Sequence, residues 1–268
     1  MNSEKKKISV IILCGGQGTR LREETEYKPK PMVEIGGKPI LWHIMKIYSF
    51  YGFNNFILAL GYKGYLIKNY FLNYKYYNND FTLDMGKNGF TLHEKNGTSE
   101  KNWTITFVDT GENSMTGARI KNCSKYINTE NFAVTYGDGV SNVNLEKEFQ
   151  FHVDHNKAVT MLGVNPLSKF GELVIDGDQV MNFSEKPQVN SSIINGGYFF
   201  MKKRFLNYLD TSANCILENG PLEKASLDGE VMIYKHRDEW YCMDTYRDYL
   251  FLNDMWGKNK RPWAIWEK

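Results

Sequence analysis

The chain has 268 residues, with 33 Lys and Arg against 31 Asp and Glu, for a formal net charge of +2. That balance lacks the basic excess of a general nucleic-acid binder, and 42% hydrophobic with 24% charged residues excludes a disordered or fibrous chain. At roughly 150 residues per domain the length allows one large domain or two small ones.

Residues 8–14 form a continuous apolar, β-branched run that ends abruptly in GGQG, the pattern of a buried parallel strand feeding a tight loop. The preceding MNSEKKK gives the start some likeness to a secretory leader, but the apolar run is too short and no small-residue cleavage site follows, so a strand is expected. A helix is expected over 39–50, where Ile40, Ile44, Ile47 and Tyr48 share one face between Gly37 and Gly52. Then come a strand at 55–60, a helix at 62–72, a strand at 104–108, a helix at 119–127 and a strand at 131–136. This alternation implies an α/β fold: a Rossmann-like, mostly parallel sheet with helices on both faces.

Residues 73–102 are rich in Asn and Tyr and hold no period for long, leaving room for a short hairpin. After Asp138 the pattern becomes mixed: a helix at 145–155, strands at 158–164, 173–175, 180–184 and 194–200, and a helix at 245–256. The aromatic tail KNKRPWAIWEK is expected to dock on the domain or on a neighbour. No window of 18 apolar residues occurs, so no membrane span is expected. Cys14, Cys123, Cys215 and Cys242 include no CxxC pair, which argues against a zinc cluster or a disulfide framework and for a reducing, cytoplasmic address. Asn96-Gly97-Thr98 matches a glycosylation acceptor, which carries no weight at such an address.

The segment Leu13-Cys14-Gly15-Gly16-Gln17-Gly18-Thr19-Arg20 carries the most chemistry. Glycines directly after a buried strand let backbone N–H groups approach phosphate oxygens, and Arg20 adds a cationic fork. The third glycine of a dinucleotide fingerprint is replaced by Leu21, and the Lys-Ser/Thr pair of a P-loop is missing, so a different phosphate loop is implied. In Lys28-Pro29-Lys30-Pro31 the prolines stiffen the backbone and present two lysines, a rigid arrangement suited to a polyphosphate.

Tyr136-Gly137-Asp138-Gly139 ends a strand at the carboxyl edge, where open parallel sheets bind ligands, and Met243-Asp244-Thr245 precedes the last helix. Either aspartate alone reads equally as a turn residue or an N-cap. Together beside a phosphate loop they would hold Mg2+, which favours few carboxylates, several waters and phosphate oxygens. Phe170-Gly171-Glu172, Glu185-Lys186-Pro187 and Asn195-Gly196-Gly197 frame a second pocket able to meet sugar hydroxyls and a monoester phosphate. His43, His152 and His155 are expected to pack or to be solvated rather than to act in catalysis.

The runs LCGGQGTRL, KPKPMVEIGGKPILWHIM, DTGENSMTGAR, YGDGV, EKP, INGGYF and MDT together resemble the cytidylyl branch of the sugar-nucleotide pyrophosphorylases. The resemblance implies one nucleotidyltransferase domain over 1–268, with 1–140 mainly binding nucleotide and 141–268 mainly binding sugar phosphate. It further implies CMP transfer from CTP to glucose 1-phosphate, giving CDP-glucose and pyrophosphate for surface glycans, with Mg2+ as cofactor. By the same resemblance Leu13, Cys14, Gly15, Gly16, Gln17, Gly18, Thr19, Arg20, Lys30, Ser114, Arg119 and Gly137 lie at the nucleotide. Gly171, Glu185, Lys186, Asn195 and Gly197 line the sugar-phosphate pocket, and Asp138 and Asp244 hold the metal. Arg20, Lys30, Asp138 and Asp244 form the implied catalytic set. Members are cytosolic homo-oligomers, often hexamers, with no nucleic-acid or membrane partner.

The sequence departs from the family pattern at Cys14, where Ala is commoner, and over 73–102. The residues by themselves leave open a different sugar or non-sugar acceptor, an NAD-dependent sugar enzyme, or a nucleotide-sensing subunit without turnover. The missing third glycine counts against the second, and the presence of both candidate metal carboxylates against the third.

Overall fold

The computed structural model describes residues 7–86, 89–93, 99–166, 172–184 and 193–267. Strand β1 (Ser9–Cys14) is buried on both faces, as the apolar run from Val10 to Cys14 requires. It pairs in parallel with β2 (Asn55–Leu60), which pairs with β3 (Thr104–Asp109), and on its other side with β4 (Asn131–Tyr136). The sheet continues through β6 (Ile194–Lys202), β5 (Val159–Val164) and β7 (Val231–His236), giving the order β7-β5-β6-β4-β1-β2-β3. Only β6 runs against its neighbours, so the second half is mixed as its weaker alternation foretold.

Alternate residues of β1 point to opposite layers. Val10, Ile12 and Cys14 join the core under α1 (Ile40–Phe50), whereas Ile11 and Leu13 join the core under α3 (Thr116–Cys123). Helices α2 (Gly64–Leu72) and α4 (Leu145–His155) contribute Ile67 and Leu145 to the first layer. Helix α5 (Pro221–Leu227) contributes Leu222 and Ala225 to the second. Helix α6 (Tyr246–Gly257) returns to the first layer through Leu252. The layered α/β architecture therefore follows the expected pattern.

Local outcomes differ from the sequence expectations at 119–127 and after 202, whereas the short hairpin allowed for within 73–102 is present. The helix expected over 119–127 begins earlier, at Thr116, and gives way to a 3-10 turn at Ser124–Tyr126. Residues 73–102 contain a short helix, Tyr74–Asn78, and an antiparallel hairpin of Asp80–Asp84 with Gly89–His93. The stretch after 202 adds α5, β7 and a short strand at Trp240–Cys242, whose polar and apolar residues mix too closely to announce them. The tail docks on its own chain: Trp263 is fully buried and Trp266 meets Trp42 edge-on, with ring centroids 5.6 Å apart. Among the described residues no helix is long and apolar enough to cross a membrane. All four cysteines are free thiols.

The histidines are embedded in packing. His43 Nε2 meets Ile35 O at 2.9 Å, and burial lowers its pKa to about 4. His152 and His155 both reach Thr160 Oγ1, at 2.8 and 2.6 Å.

Helix α4 also buries Glu148 completely, with no hydrogen-bond partner for either carboxylate oxygen. Burial raises its pKa well above the ordinary 4.5. The folded chain therefore holds this proton where the unfolded chain releases it, so the stability is whole below that ordinary value and is lost as pH rises toward the raised one. Glu148→Gln should match the wild-type unfolding free energy near pH 4 and exceed it increasingly toward pH 8, by up to about 1.4 kcal/mol per pH unit within that window, with the melting temperature following. Parallel melting curves across that range would show that the carboxyl is not held protonated.

Candidate active site

A cleft of about 310 Å³ opens at the carboxyl edge of β1 and β4. Leu13, Gly15 and Arg20 line it from the first loop, and Lys30 and Pro31 from the stiff basic turn. Gly137 and Asp138 come from the end of β4, Asn195 and Gly197 from β6, and Cys242 and Asp244 from the segment before α6. Leu13, Gly15, Arg20, Lys30, Gly137, Asp138, Asn195, Gly197 and Asp244, which the sequence singled out, are brought to this wall from segments more than 200 residues apart.

The meeting of Asp138 with Asp244 is a matter of strand register. Residues Gly139–Ser141 pair antiparallel with Trp240–Cys242, with Gly139 opposite Cys242, and Met243 N donates to Asp138 O at 2.9 Å. Each aspartate leaves this small ladder at the same end. Asp244 is held further by the cap of α6: Asp248 Oδ2 accepts from the amides of Asp244 and Thr245, at 3.1 and 2.8 Å, and the Thr245 hydroxyl accepts from Asp248 N. The cap that competed with a site role for this segment belongs to Thr245, which leaves the Asp244 carboxylate for the cleft.

Lys30 Nζ lies between the two carboxylates, 2.6 Å from Asp138 Oδ2 and 2.8 Å from Asp244 Oδ1. Burial works to lower the Lys30 pKa, but the charge of Asp138 and hydrogen bonds to both aspartates outweigh it and hold the ammonium above its ordinary value. Arg20 pairs with the other oxygen of Asp244. The four residues of the implied catalytic set are therefore one cluster of two cations and two anions.

Close approach of three chain segments depends on absent side chains. A Cβ on Gly137 would lie 2.7 Å from Leu13 O and 2.9 Å from Pro31 Cγ. One on Gly15 would lie 1.9 Å from Arg119 Cζ. Gly16 and Gly18 adopt φ of +115° and +62°, which shape the turn into the 3-10 segment Thr19–Leu21. Thr25 Oγ1 steadies that turn by donating to Gly18 O and Leu21 O, at 2.9 Å each.

Several expected contacts sit differently from the rest. Arg119 is buried beneath the first loop, where its guanidinium donates to Leu60 O, Thr110 Oγ1, Gly111 O and Glu112 O. Ser114 Oγ donates to Thr110 O, and neither residue is part of the cleft wall. The Cys14 side chain is wholly in the core, and Gly16, Gln17, Gly18 and Thr19 are outside the wall. Gly171, Glu185 and Lys186 lie outside the described residues, as does Asn96-Gly97-Thr98.

Trp240 of the far wall was not marked by the motifs, nor was Glu218, which stands outside the lining and ties two wall residues together. Tyr136 donates to Glu218, Asn195 Nδ2 donates to Tyr136 Oη at 3.3 Å, and Thr116 Oγ1 donates to Glu218 Oε2 at 2.8 Å. Gly197 has φ of +79°, and a Cβ there would strike the Tyr136 ring at 2.5 Å. Trp240 Nε1 donates to Gly196 O at 2.8 Å. Tyr136 stood inside the YGDG run, but Glu218 follows no local motif. Cys242 also joins the wall, and burial together with the charge of Asp138 pushes its thiol pKa up.

The family model for nucleotidyl transferases matches residues 9–250, which includes every element of this cleft. The chain belongs to the nucleotidyl transferase family. This nucleotidyl transferase is 45% identical over 261 residues to the glucose-1-phosphate cytidylyltransferase of Salmonella typhi, covering 97% of this chain and 100% of that one. It is 42% identical over 259 residues to the probable glucose-1-phosphate cytidylyltransferase of Bacillus subtilis, again covering 97% and 100%. Among solved structures it is similar to HddC from Yersinia pseudotuberculosis complexed with GMP-PN, with TM-score 0.66, 26% identity, and coverage of 93% of this chain and 99% of that chain.

Arg119 supports this transferase's first loop from below, and its removal takes the guanidinium donors from Gly111 O, Glu112 O and Thr110 Oγ1. Arg119→Leu should cost about 1 to 3 kcal/mol in urea denaturation. Gly15→Ala should cost about 1 to 3 kcal/mol, because the new methyl has to displace the same guanidinium. A Gly15→Ala protein of unchanged stability would mean that Arg119 does not pack there.

Proposed function

We infer that this nucleotidyl transferase moves CMP from CTP to α-D-glucose 1-phosphate, releasing pyrophosphate and forming CDP-glucose. The observation that carries the reading is the cluster of Arg20, Lys30, Asp138 and Asp244 at the mouth of a glycine-lined cleft. Near-complete alignment with the two cytidylyltransferases selects CTP and glucose 1-phosphate.

The chemistry needs charge control more than acid or base groups. A phosphate oxygen of the sugar 1-phosphate attacks the α-phosphorus in line, and the bond to the pyrophosphate oxygen breaks as the new P–O bond forms. The nucleophile is already an anion, so no proton has to be removed from it. The barrier lies in bringing two anions together and in the charge that grows on the leaving oxygen. Arg20 and Lys30 supply positive charge on one side of the cleft, and the first-loop backbone admits phosphate close to the sheet edge. Asn195 and Gly197 on the opposite wall orient the acceptor, with Gly171, Glu185 and Lys186 as further candidates to hold it.

Asp138 and Asp244 fit a divalent ion, because the space between their oxygens already hosts a cation, the Lys30 ammonium. Mg2+ held there would screen the triphosphate and stabilise charge on the leaving pyrophosphate. Residues 1–140 then serve mainly the nucleotide and 141–268 mainly the sugar phosphate, within one domain. Four free thiols support a cytoplasmic address. The exposed apolar residues Phe81, Leu83, Met85 and Phe90 of the hairpin support self-association, a hexamer being the state the family resemblance implies. The product suits synthesis of surface polysaccharide.

Asp138→Asn should lower turnover by about 100-fold or more with an unchanged circular dichroism spectrum, since the metal contributes several kcal/mol to the transition state. Pyrophosphate release over a grid of nucleoside triphosphates and phosphorylated acceptors is the direct test, and CTP with glucose 1-phosphate should give the highest rate. Faster release with another pair would replace the proposed substrates, and full activity of Asp138→Asn would remove that residue from the site.

A further inference from the structure

Cys242 has no part in the transfer chemistry derived above, yet it stands in the cleft wall, where its backbone pairs with Gly139 next to Asp138. One oxygen of Asp138, one of Asp244 and Cys242 Sγ all lie within 4.8 Å of one another. The two carboxylates already hold a positive charge, the Lys30 ammonium at 2.6 and 2.8 Å.

Donor chemistry separates the ions that could use three such groups. Mg2+ is hard, keeps its waters and oxygens, and leaves sulfur aside. Zn2+, Co2+ and Cd2+ accept a thiolate together with carboxylates. A tetrahedral ion with donors at about 2.0 to 2.3 Å spaces them roughly 3.3 to 3.8 Å apart, so these donors need to draw in by at most about 1.5 Å.

We propose that Cys242 is a third ligand that makes Asp138, Cys242 and Asp244 a site for a thiophilic divalent ion of the zinc, cobalt and cadmium class. The ion bonds to Sγ, the thiol proton passes to solvent, and the ion takes the place that Lys30 Nζ holds. No electron is transferred. Such an ion competes with a hard one for the same two carboxylates, so Cys242 sets which metals the site distinguishes. The inference rests on the reading of Asp138 and Asp244 as metal-holding residues.

The test uses the full chain and metal alone, without nucleotide. Co2+ should produce a thiolate-to-cobalt charge-transfer band in the wild type, and the band should vanish in Cys242→Ser and Cys242→Ala. Mn2+ binding, followed by electron paramagnetic resonance, should stay within about twofold in all three proteins, because oxygen donors dominate its ligation. Cys14, Cys123 and Cys215 remain in every variant and serve as internal controls.

A wild type that binds Mn2+ without a cobalt–sulfur band, or a band that survives both substitutions, overturns the proposal and leaves the carboxylate reading standing. Failure of Mn2+ and Co2+ alike to bind the wild type overturns both. A second measurement needs no variant. Alkylation of Cys242, read by peptide mass, should slow about tenfold at a Zn2+ concentration ten times its dissociation constant and far less with Mg2+. Equal rates with and without Zn2+ overturn the proposal.

Discussion

Two carboxylates held side by side are the constraint around which this molecule is arranged. Two unit charges at 4.8 Å, the limit of the Asp138 and Asp244 oxygen separation, repel by about 3.5 kcal/mol at an effective dielectric constant near 20. The pairing of Gly139–Ser141 with Trp240–Cys242 and the Asp248 contacts at the start of the last helix impose that proximity. Lys30 and Arg20 offset it. The result is a site that demands positive charge, which is the property a metal-assisted reaction between two anions requires.

The same economy of space governs the glycine loop. Gly137 lets the end of β4 touch the carbonyl of Leu13 and the ring of Pro31, so the first loop, the basic turn and Asp138 meet without intervening side chains. Gly15 leaves room beneath the loop for the Arg119 guanidinium, whose four carbonyl and hydroxyl partners tie the ends of β2 and β3 to the loop's floor. A buried cation under the loop adds a positive field there while its hydrogen bonds stay satisfied. Arg119 thus lies beneath the glycine loop and acts on it through packing and charge.

Signals carried by neighbouring residues were legible before the fold. The unbroken apolar run of β1, the glycines after it, the proline-stiffened Lys30 and the Asp138 turn all declare themselves within a few positions, because strand burial, positive φ and fixed φ are local requirements. The boundaries of β2, β4 and α4 also agree with the sequence periods. Elements between residue 202 and the last helix were hidden, since α5 and β7 carry exposed polar and apolar residues that follow neither period cleanly, whereas α6 agrees with the helix expected over 245–256.

The sequence by itself determined an α/β chain whose glycine-rich loop follows its first strand, with two candidate carboxylates far apart in the chain. Tertiary structure alone decided that those carboxylates share Lys30, that Cys242 joins them, and that Glu218 bridges Tyr136 and Thr116 on the far wall. The physical reason is that side-chain type and spacing encode backbone preference over a few residues. Which distant groups come within 5 Å depends on strand order and register, which only the packing of the whole sheet sets.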